Sequence, residues 1–145
     1  MSTPSERVYD LDPETLALFR SKGTYGGCGT VQIGNANGVK VRRVMQITSD
    51  FARASFRQLR IIDFACGEGV YAIEAALRGA EVVALDARTE RMKEGARAAE
   101  RLGLTKLRFE QTDVRNVNLG SHGMFDVIFF FGILYHLMIR TYFEF

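Results

Sequence analysis

Residues 60–86 read RIIDFACGEGVYAIEAALRGAEVVALD: a strand, a glycine turn, a helix and a second strand that ends on an aspartate. A short apolar run, Ile61 and Ile62, stops at Asp63 and gives way to Ala65, Cys66, Gly67, Glu68 and Gly69 before helical periodicity begins at Val70. Glycine in such a turn takes positive φ without strain and lets a ligand come close to the backbone, while the free N–H groups of the next helix attract polar or anionic groups. Asp86 closes the second strand roughly 20 residues beyond the turn, where a carboxylate is placed to accept hydrogen bonds from a ribose diol.

Downstream, the same alternation continues. The helix after the turn is expected to bury Val70, Ile73, Ala76 and Leu77 and to stop at Gly79. Thr89 can cap the next helix, whose apolar stripe is Met92, Ala96, Ala99 and Leu102 and whose stop is Gly103. Lys106–Glu110 reads as a third strand, followed by Thr112, Asp113 and Val114, and Phe125–Phe131 reads as a fourth, apolar on both faces as buried parallel strands are. Strand and helix alternating at this spacing form βαβ units with parallel pairing. The predicted fold class is therefore α/β, a Rossmann-like open parallel sheet.

Upstream, residues 1–59 read as an N-terminal extension of helical and β-hairpin character, and residues 60–145 as the core domain. Pro13, Leu16 and Phe19 suggest a short helix. The glycine-rich stretch 23–38 encloses Thr30–Ile33, and after Asn37 and Gly38 comes Val39–Val44, an alternation that predicts two short strands joined by a turn. A phosphate-cradling loop is the weaker alternative there, because the lysine and serine or threonine that such a loop requires after its last glycine are missing. Residues 45–59 predict a helix capped by Ser49 or Asp50, with Met45, Phe51, Ala52, Phe56 and Leu59 apolar.

A chain of 145 residues, 47% hydrophobic and 25% charged, suits one globular domain with a core of its own. No run approaches the ~18 apolar residues of a membrane helix, and the N-terminus lacks the order of a signal peptide. Cys28 and Cys66 are the two cysteines, and Cys66 falls inside the glycine turn, so a reducing, cytoplasmic setting is expected with no metal site. Arg42, Arg43, Arg53, Arg57 and Arg60 gather ahead of the core, but no aromatic interleaving accompanies them, and they read as solvated surface rather than a nucleic-acid site.

From Arg60 to about Leu137 the chain resembles the class I S-adenosylmethionine-dependent methyltransferases, whose first motif runs hydrophobic-Asp-x-Gly-Cys-Gly-x-Gly. Asp63, Cys66, Gly67 and Gly69 stand in register with it, and Ala65 replaces the first family glycine. The resemblance implies S-adenosyl-L-methionine as cofactor and a transferase that methylates an acceptor the sequence does not identify. It implies that Ala65, Cys66, Gly67 and Gly69 admit the methionine part against bare backbone and that Asp63 orients its ammonium. Asp86, with Ala87 beside it, is implied for the ribose; Asp113 and the Val114 N–H for the adenine; and Phe131, after the fourth strand, for the methionine group. Tyr135 and His136 resemble the family's Leu-Tyr-His-Leu segment and would border the acceptor pocket, with His136 able to take a proton because imidazoles exchange protons near neutral pH. Each aspartate has a structural alternative: Asp63 as a cap of the turn, Asp86 as a helix cap and Asp113 as a surface carboxylate; Asp126, which precedes most of its strand, suits a structural role better than ligand contact.

The family's sheet continues beyond a fourth strand, whereas this chain ends at Phe145, soon after His136. The favoured expectation is a C-terminally truncated core of four strands; the alternatives for its apolar fourth-strand edge are a homodimer that covers it or a reduced domain whose N-terminal segment folds over it. Two other functions share the pattern. A nicotinamide- or flavin-dependent oxidoreductase also uses a glycine turn, but Ala72 stands where its third glycine belongs, and it requires neither Asp63 nor Asp113. A degenerate, non-catalytic binding domain is the other.

Overall fold

The computed structural model describes residues 36–134 and 136–137. Within them the elements follow the order α1 (Ala36–Ala52), β1 (Arg60–Phe64), α2 (Val70–Leu77), β2 (Glu81–Asp86), α3 (Thr89–Arg101), β3 (Leu107–Gln111) and β4 (Val127–Phe129). The four strands form one sheet in the order β3-β2-β1-β4, every neighbouring pair parallel. Ile61 and Ile62 sit opposite Val82 and Val83 on one side and Val127 and Ile128 on the other. The predicted α/β Rossmann-like sheet is thus the fold of the protein.

Alternation along β1 and β2 divides the core. Ile61, Val82, Ala84, Leu107 and Phe129 point to the face covered by helices, where Met45 of α1, Ala72, Ile73, Ala75 and Ala76 of α2 and Ala99 of α3 pack on them. Ile62, Phe64, Val83 and Leu85 point to the other face, which is covered by Val114, Val117, Phe125 and Phe130 from the segment joining β3 to β4 and its exit. Ile61, Ile62, Ile73 and Leu85 are almost fully withdrawn from water, each contributing about 1.5–3 kcal/mol. On α2 the buried Glu74 pairs with Arg78 at 2.5 Å, and the guanidinium also lies 5.9 Å from the Phe56 ring.

Where the structure departs from the sequence reading, local pattern has given way to packing. Val39–Val44 is helical, not a strand: Val41, Met45 and Thr48 are buried at helical spacing, and the Thr48 hydroxyl donates to the Val44 carbonyl. Ser49 and Asp50 lie in the last turns of α1 and cap nothing at its start. After it, Phe56–Gln58 forms one 3-10 turn before β1. On α3 the inward positions are Met92, Gly95 and Ala99, with Ala96 facing solvent. The predicted strand Thr30–Ile33 and the N-terminal helix lie outside the described residues.

At the N-terminal end of the sheet Arg60 acts as a clasp. Its guanidinium donates to the carbonyls of Met124 at 2.7 Å and His122 at 3.1 Å, pairs with Glu81 at 3.0 Å and lies over Phe125, 4.9 Å from the ring centre. Asp126 accepts the Arg60 N–H at 2.8 Å, the structural role expected of it. Arg60 is therefore not a solvated surface residue. The outer edge of β4 has no strand beside it among the described residues. A groove of roughly 450 Å³ lies between that edge and α1, lined by Ile47, Phe51, Ile128 and Phe131 among others.

Candidate functional site

The C-terminal ends of β1, β2 and β3 are bound to one another. The Cys66 N–H donates to the Leu85 carbonyl at 2.9 Å, the Thr112 N–H to the Asp86 carbonyl at 3.0 Å, and the Gln111 amide to the Ala87 carbonyl at 3.2 Å. Parallel strands place all three ends on one rim, the usual ligand position of an open α/β sheet. A cavity of roughly 400 Å³ opens there. Ala65, Asp86 and Ala87 form one wall, Asp113 and Val114 another, and Ile133, His136 and Leu137 close the third side.

The glycine turn is wound tightly. Ala65, Gly67 and Gly69 all have positive φ, at 54°, 59° and 74°, and the Gly69 N–H returns to the Cys66 carbonyl at 2.9 Å. A side chain on Gly69 would come within 2.5 Å of the Phe109 ring, so this glycine is required by the packing of β3 against the turn. Gly95 of α3 is required by a closer approach still. A Cβ there would stand 2.2 Å from the Glu68 carbonyl oxygen. Gly95 carries no motif, and sequence reading misses it.

Asp86 is 3% exposed and fully engaged. One carboxylate oxygen accepts the Gly67 N–H at 2.8 Å, the other the Arg88 N–H at 2.8 Å and the Arg88 guanidinium at 3.3 Å. Burial pushes its pKa up, but the Arg88 and Gly67 N–H groups and the Arg88 guanidinium outweigh it and hold the carboxyl below its usual range. Asp113 repeats this arrangement one strand further along. Its carboxylate accepts the Arg115 N–H at 2.9 Å and forms a two-oxygen pair with the Arg115 guanidinium. The Asp-x-Arg spacing, Asp86-Ala87-Arg88 and Asp113-Val114-Arg115, thus builds two matching turns on facing walls, and both arginines line the cavity. That repeat is visible in the sequence and was the unread signal for Arg88 and Arg115.

Asp63 is different again. It is 2% exposed, accepts the Ala72 N–H, and its Oδ2 has no hydrogen-bond partner. Burial, with a smaller contribution from the Asp86 charge, raises its pKa to about 8. The same burial pushes the Cys66 thiol up, beyond the range in which thiolates form, so Cys66 is no nucleophile here. Beside Asp63, the rings of Tyr71, Phe129 and Phe131 cluster, with Tyr71 and Phe131 4.8 Å apart and Phe129 stacked on Phe131 at 5.5 Å.

Of the residues singled out from sequence, Ala65, Asp86, Ala87, Asp113, Val114 and His136 line one cavity. Asp63, Cys66, Gly67 and Gly69 belong to the strand end and turn next to it without lining it. Phe131 lines the groove beside α1 and meets the turn through Tyr71. Tyr135 lies outside the described residues.

Comparison with known proteins agrees with this architecture. The methyltransferase domain family matches residues 61–144, more than half of the chain. A comparison with curated protein sequences finds no match. Among solved structures, the bifunctional kinase-methyltransferase WbdD superposes with a TM-score of 0.61 at 17% identity, over 79% of this chain and 25% of its own. The N-terminal domain of EvdMO1 with SAH bound superposes at 0.54 and 17% identity, over 81% and 53%. The C-terminal domain of precorrin-6Y C5,15-methyltransferase from Rhodobacter capsulatus superposes at 0.53 and 20% identity, over 68% and 55%. The chain spans a quarter to just over half the length of these relatives, and at such identities the likeness shows the fold. No helix among the described residues is long and apolar enough to cross a membrane. With residues 61–144 matched and the sheet, glycine turn and strand-end cavity in place, the chain belongs to the methyltransferase domain family.

Proposed function

We propose that this domain binds S-adenosyl-L-methionine in the crevice at the C-terminal ends of β1 to β3 and directs its methyl group to an acceptor. The observation that carries the reading is the convergence of Asp86 and Asp113 on one cavity, with the buried, unpartnered Oδ2 of Asp63 beside it. The residues fit the group. The cavity between the two Asp-x-Arg turns suits a nucleoside, and an orphaned carboxyl oxygen next to an aromatic cluster suits the cationic end of the same molecule. The bound cofactor supplies a methyl group on a sulfonium, already activated for transfer.

In this reading the protein contributes alignment more than chemistry. Asp86 fixes the glycine turn and shapes the ribose side, Asp113 and the Val114 N–H flank the base, and Ala65 borders the junction of nucleoside and methionine. His136, on the cavity wall, takes a proton from an oxygen or nitrogen acceptor, with Tyr135 beside it in sequence. The acceptor stays unassigned, since one fold serves many acceptors.

Calorimetric titration of the purified protein with S-adenosylmethionine, S-adenosylhomocysteine and NAD tests the reading. Saturable binding in the micromolar range is expected for the first two and none for NAD. Binding of NAD alone would replace this reading with a dinucleotide site.

A further inference from the structure

Among the described residues the sheet has two edges, and they differ in kind. The β3 edge carries Arg108 and Glu110, which pair at 3.5 Å, charged side chains of the sort that keep strand edges apart. The β4 edge is apolar. Its hydrogen bonds fix which groups point outward. The Glu81 N–H donates to the Leu59 carbonyl at 3.0 Å and the Asp126 N–H to the Arg60 carbonyl at 2.9 Å, so successive residues of β1 address β2 and β4 in turn, and Ile62, two on from Arg60, addresses β4. Ile128 is level with Ile62 in that parallel pair. A residue in a parallel ladder bonds to the two neighbours of its level partner, here Val127 and Phe129, which leaves the N–H and C=O of Ile128 itself directed at the open edge. The Ile128 side chain beside them is 58% exposed.

We propose that the β4 edge takes a second copy of this chain: two β4 strands pair antiparallel about a two-fold axis through Ile128 and join the two sheets into one. This pairing does not depend on what the strand-end cavity binds. The edge is complementary to itself. On the axis the Ile128 N–H of each copy donates to the Ile128 carbonyl of the other, and the two exposed isoleucine side chains meet as a cross-strand pair. Asp126, two residues from the axis, is carried to opposite sides of it in the two copies, so the carboxylates stand roughly 14 Å apart along the strands and no like charges oppose each other. On the opposite face of the sheet α1 runs beside the same edge, with Ile47 at 47% and Phe51 at 85% exposure across the groove from Phe131 at 44%. The axis brings both helices to that groove in antiparallel sense. Arg43 and Asp50, exposed on either side of Ile47, carry opposite charges, and each then faces its complement in the other copy. With Ile128, these apolar side chains amount to roughly half of the ~800 Å² that each partner of a stable dimer buries, before the edge backbone and the groove walls are added.

Light scattering on the full chain over a concentration series tests the pairing. The natural protein should reach twice the 16.3 kDa mass of one chain. Ile128→Lys puts two like charges on the axis and should abolish the dimer, while a lysine on an exposed edge leaves the fold and its urea midpoint in place. Phe51→Glu, on the helix side of the same contact, should raise the concentration of half-dimerisation by about tenfold or more. Ile128→Cys should cross-link under mild oxidation into a dimer that the natural protein, with its own cysteines, does not form. Residues paired across the axis have Cα atoms ~5.5 Å apart, within reach of a disulfide. The mass of a single chain at every concentration overturns the proposal and leaves the edge to another segment of the same chain or to another protein. A dimer that persists unweakened in a folded Ile128→Lys or in Phe51→Glu, or one in which Ile128→Cys forms no cross-link, overturns it as well, since the copies then meet elsewhere.

Discussion

The Asp86 carboxylate accepts the Gly67 N–H at 2.8 Å, so the end of β2 grips the turn that leaves β1. The residue expected to face a ribose also builds the wall on which that ribose would lie. Asp86→Ala leaves two backbone N–H groups, of Gly67 and Arg88, without their acceptor, at about 1–3 kcal/mol each. Urea unfolding at pH 7 should show a loss of roughly 2–5 kcal/mol, with Asp86→Asn losing less because one amide oxygen remains. Since the carboxyl is held below its usual range, its contribution is complete above about pH 4 and declines as pH falls through the folded-state pKa. Wild type and Asp86→Asn should therefore converge in stability on acidification, and parallel curves down to pH 2 would show that the charge adds nothing.

Ala65 holds a left-handed backbone conformation in the glycine turn, with φ +54°. A left-handed alanine costs about 1–2 kcal/mol, part of which glycine returns through its greater freedom in the unfolded chain. Ala65→Gly should raise stability by about 0.5–1 kcal/mol in a urea titration. It also removes a methyl group from the cavity wall, so affinity for the proposed cofactor should hold or rise. A destabilised variant would show that the Cβ makes contacts worth more than the strain.

How much of this was legible beforehand follows from where the determinants lie. The strands, the turn and the aspartates at the strand ends are set by local pattern, an apolar run ending on an acid and a glycine, and the parallel sheet forms from them as expected, except that the fourth strand is Val127–Phe129 rather than Phe125–Phe131 and, as an edge, leaves Ile128 exposed instead of burying both faces. Val39–Val44 misled because its alternation is also compatible with helical spacing, and only the partner surface of α2 and β4 selects the helix. Gly95 was invisible because its constraint is the Glu68 carbonyl, distant in sequence. For Asp86 and Asp113 the sequence offers a ligand acceptor beside a helix cap and a surface carboxylate, but not the arginine that each carries two residues on, a pairing meaningful only once both side chains are seen to fold back.

Arg60 ties the connection between β3 and β4 to the first strand, and His122 ties it to β3 through Glu110, with Nε2 2.8 Å from the carboxylate. Arg60→Ala releases the Met124 and His122 carbonyls and should cost about 1–3 kcal/mol while making residues 117–125 the first site of limited proteolysis. The Glu110 hydrogen bond and the Asn118 carbonyl raise the His122 pKa. That contribution is present in full below the unfolded value of about 6.5 and fades as pH rises through the folded one, so cleavage of this segment should quicken on passing from pH 6 to 8. His122→Gln should remove that pH dependence. If cleavage begins elsewhere in Arg60→Ala, the clasp is not what restrains the segment.

Asp63 predicts a stability curve of opposite slope to that of Asp86. Its folded pKa, about 8, lies far above the unfolded value of about 3.9, so the native state holds a proton that the unfolded chain has released across that interval. Stability from this group is complete below pH 4 and is lost as pH rises through 8, by an amount on the order of 4 kcal/mol between pH 4 and 7. Urea midpoints of the ligand-free protein should fall steadily from pH 5 to 8, and Asp63→Asn, which is neutral throughout, should lack this component of the fall. A ligand-free curve that is flat from pH 5 to 8 in the natural protein would mean that Asp63 ionises freely in the folded state.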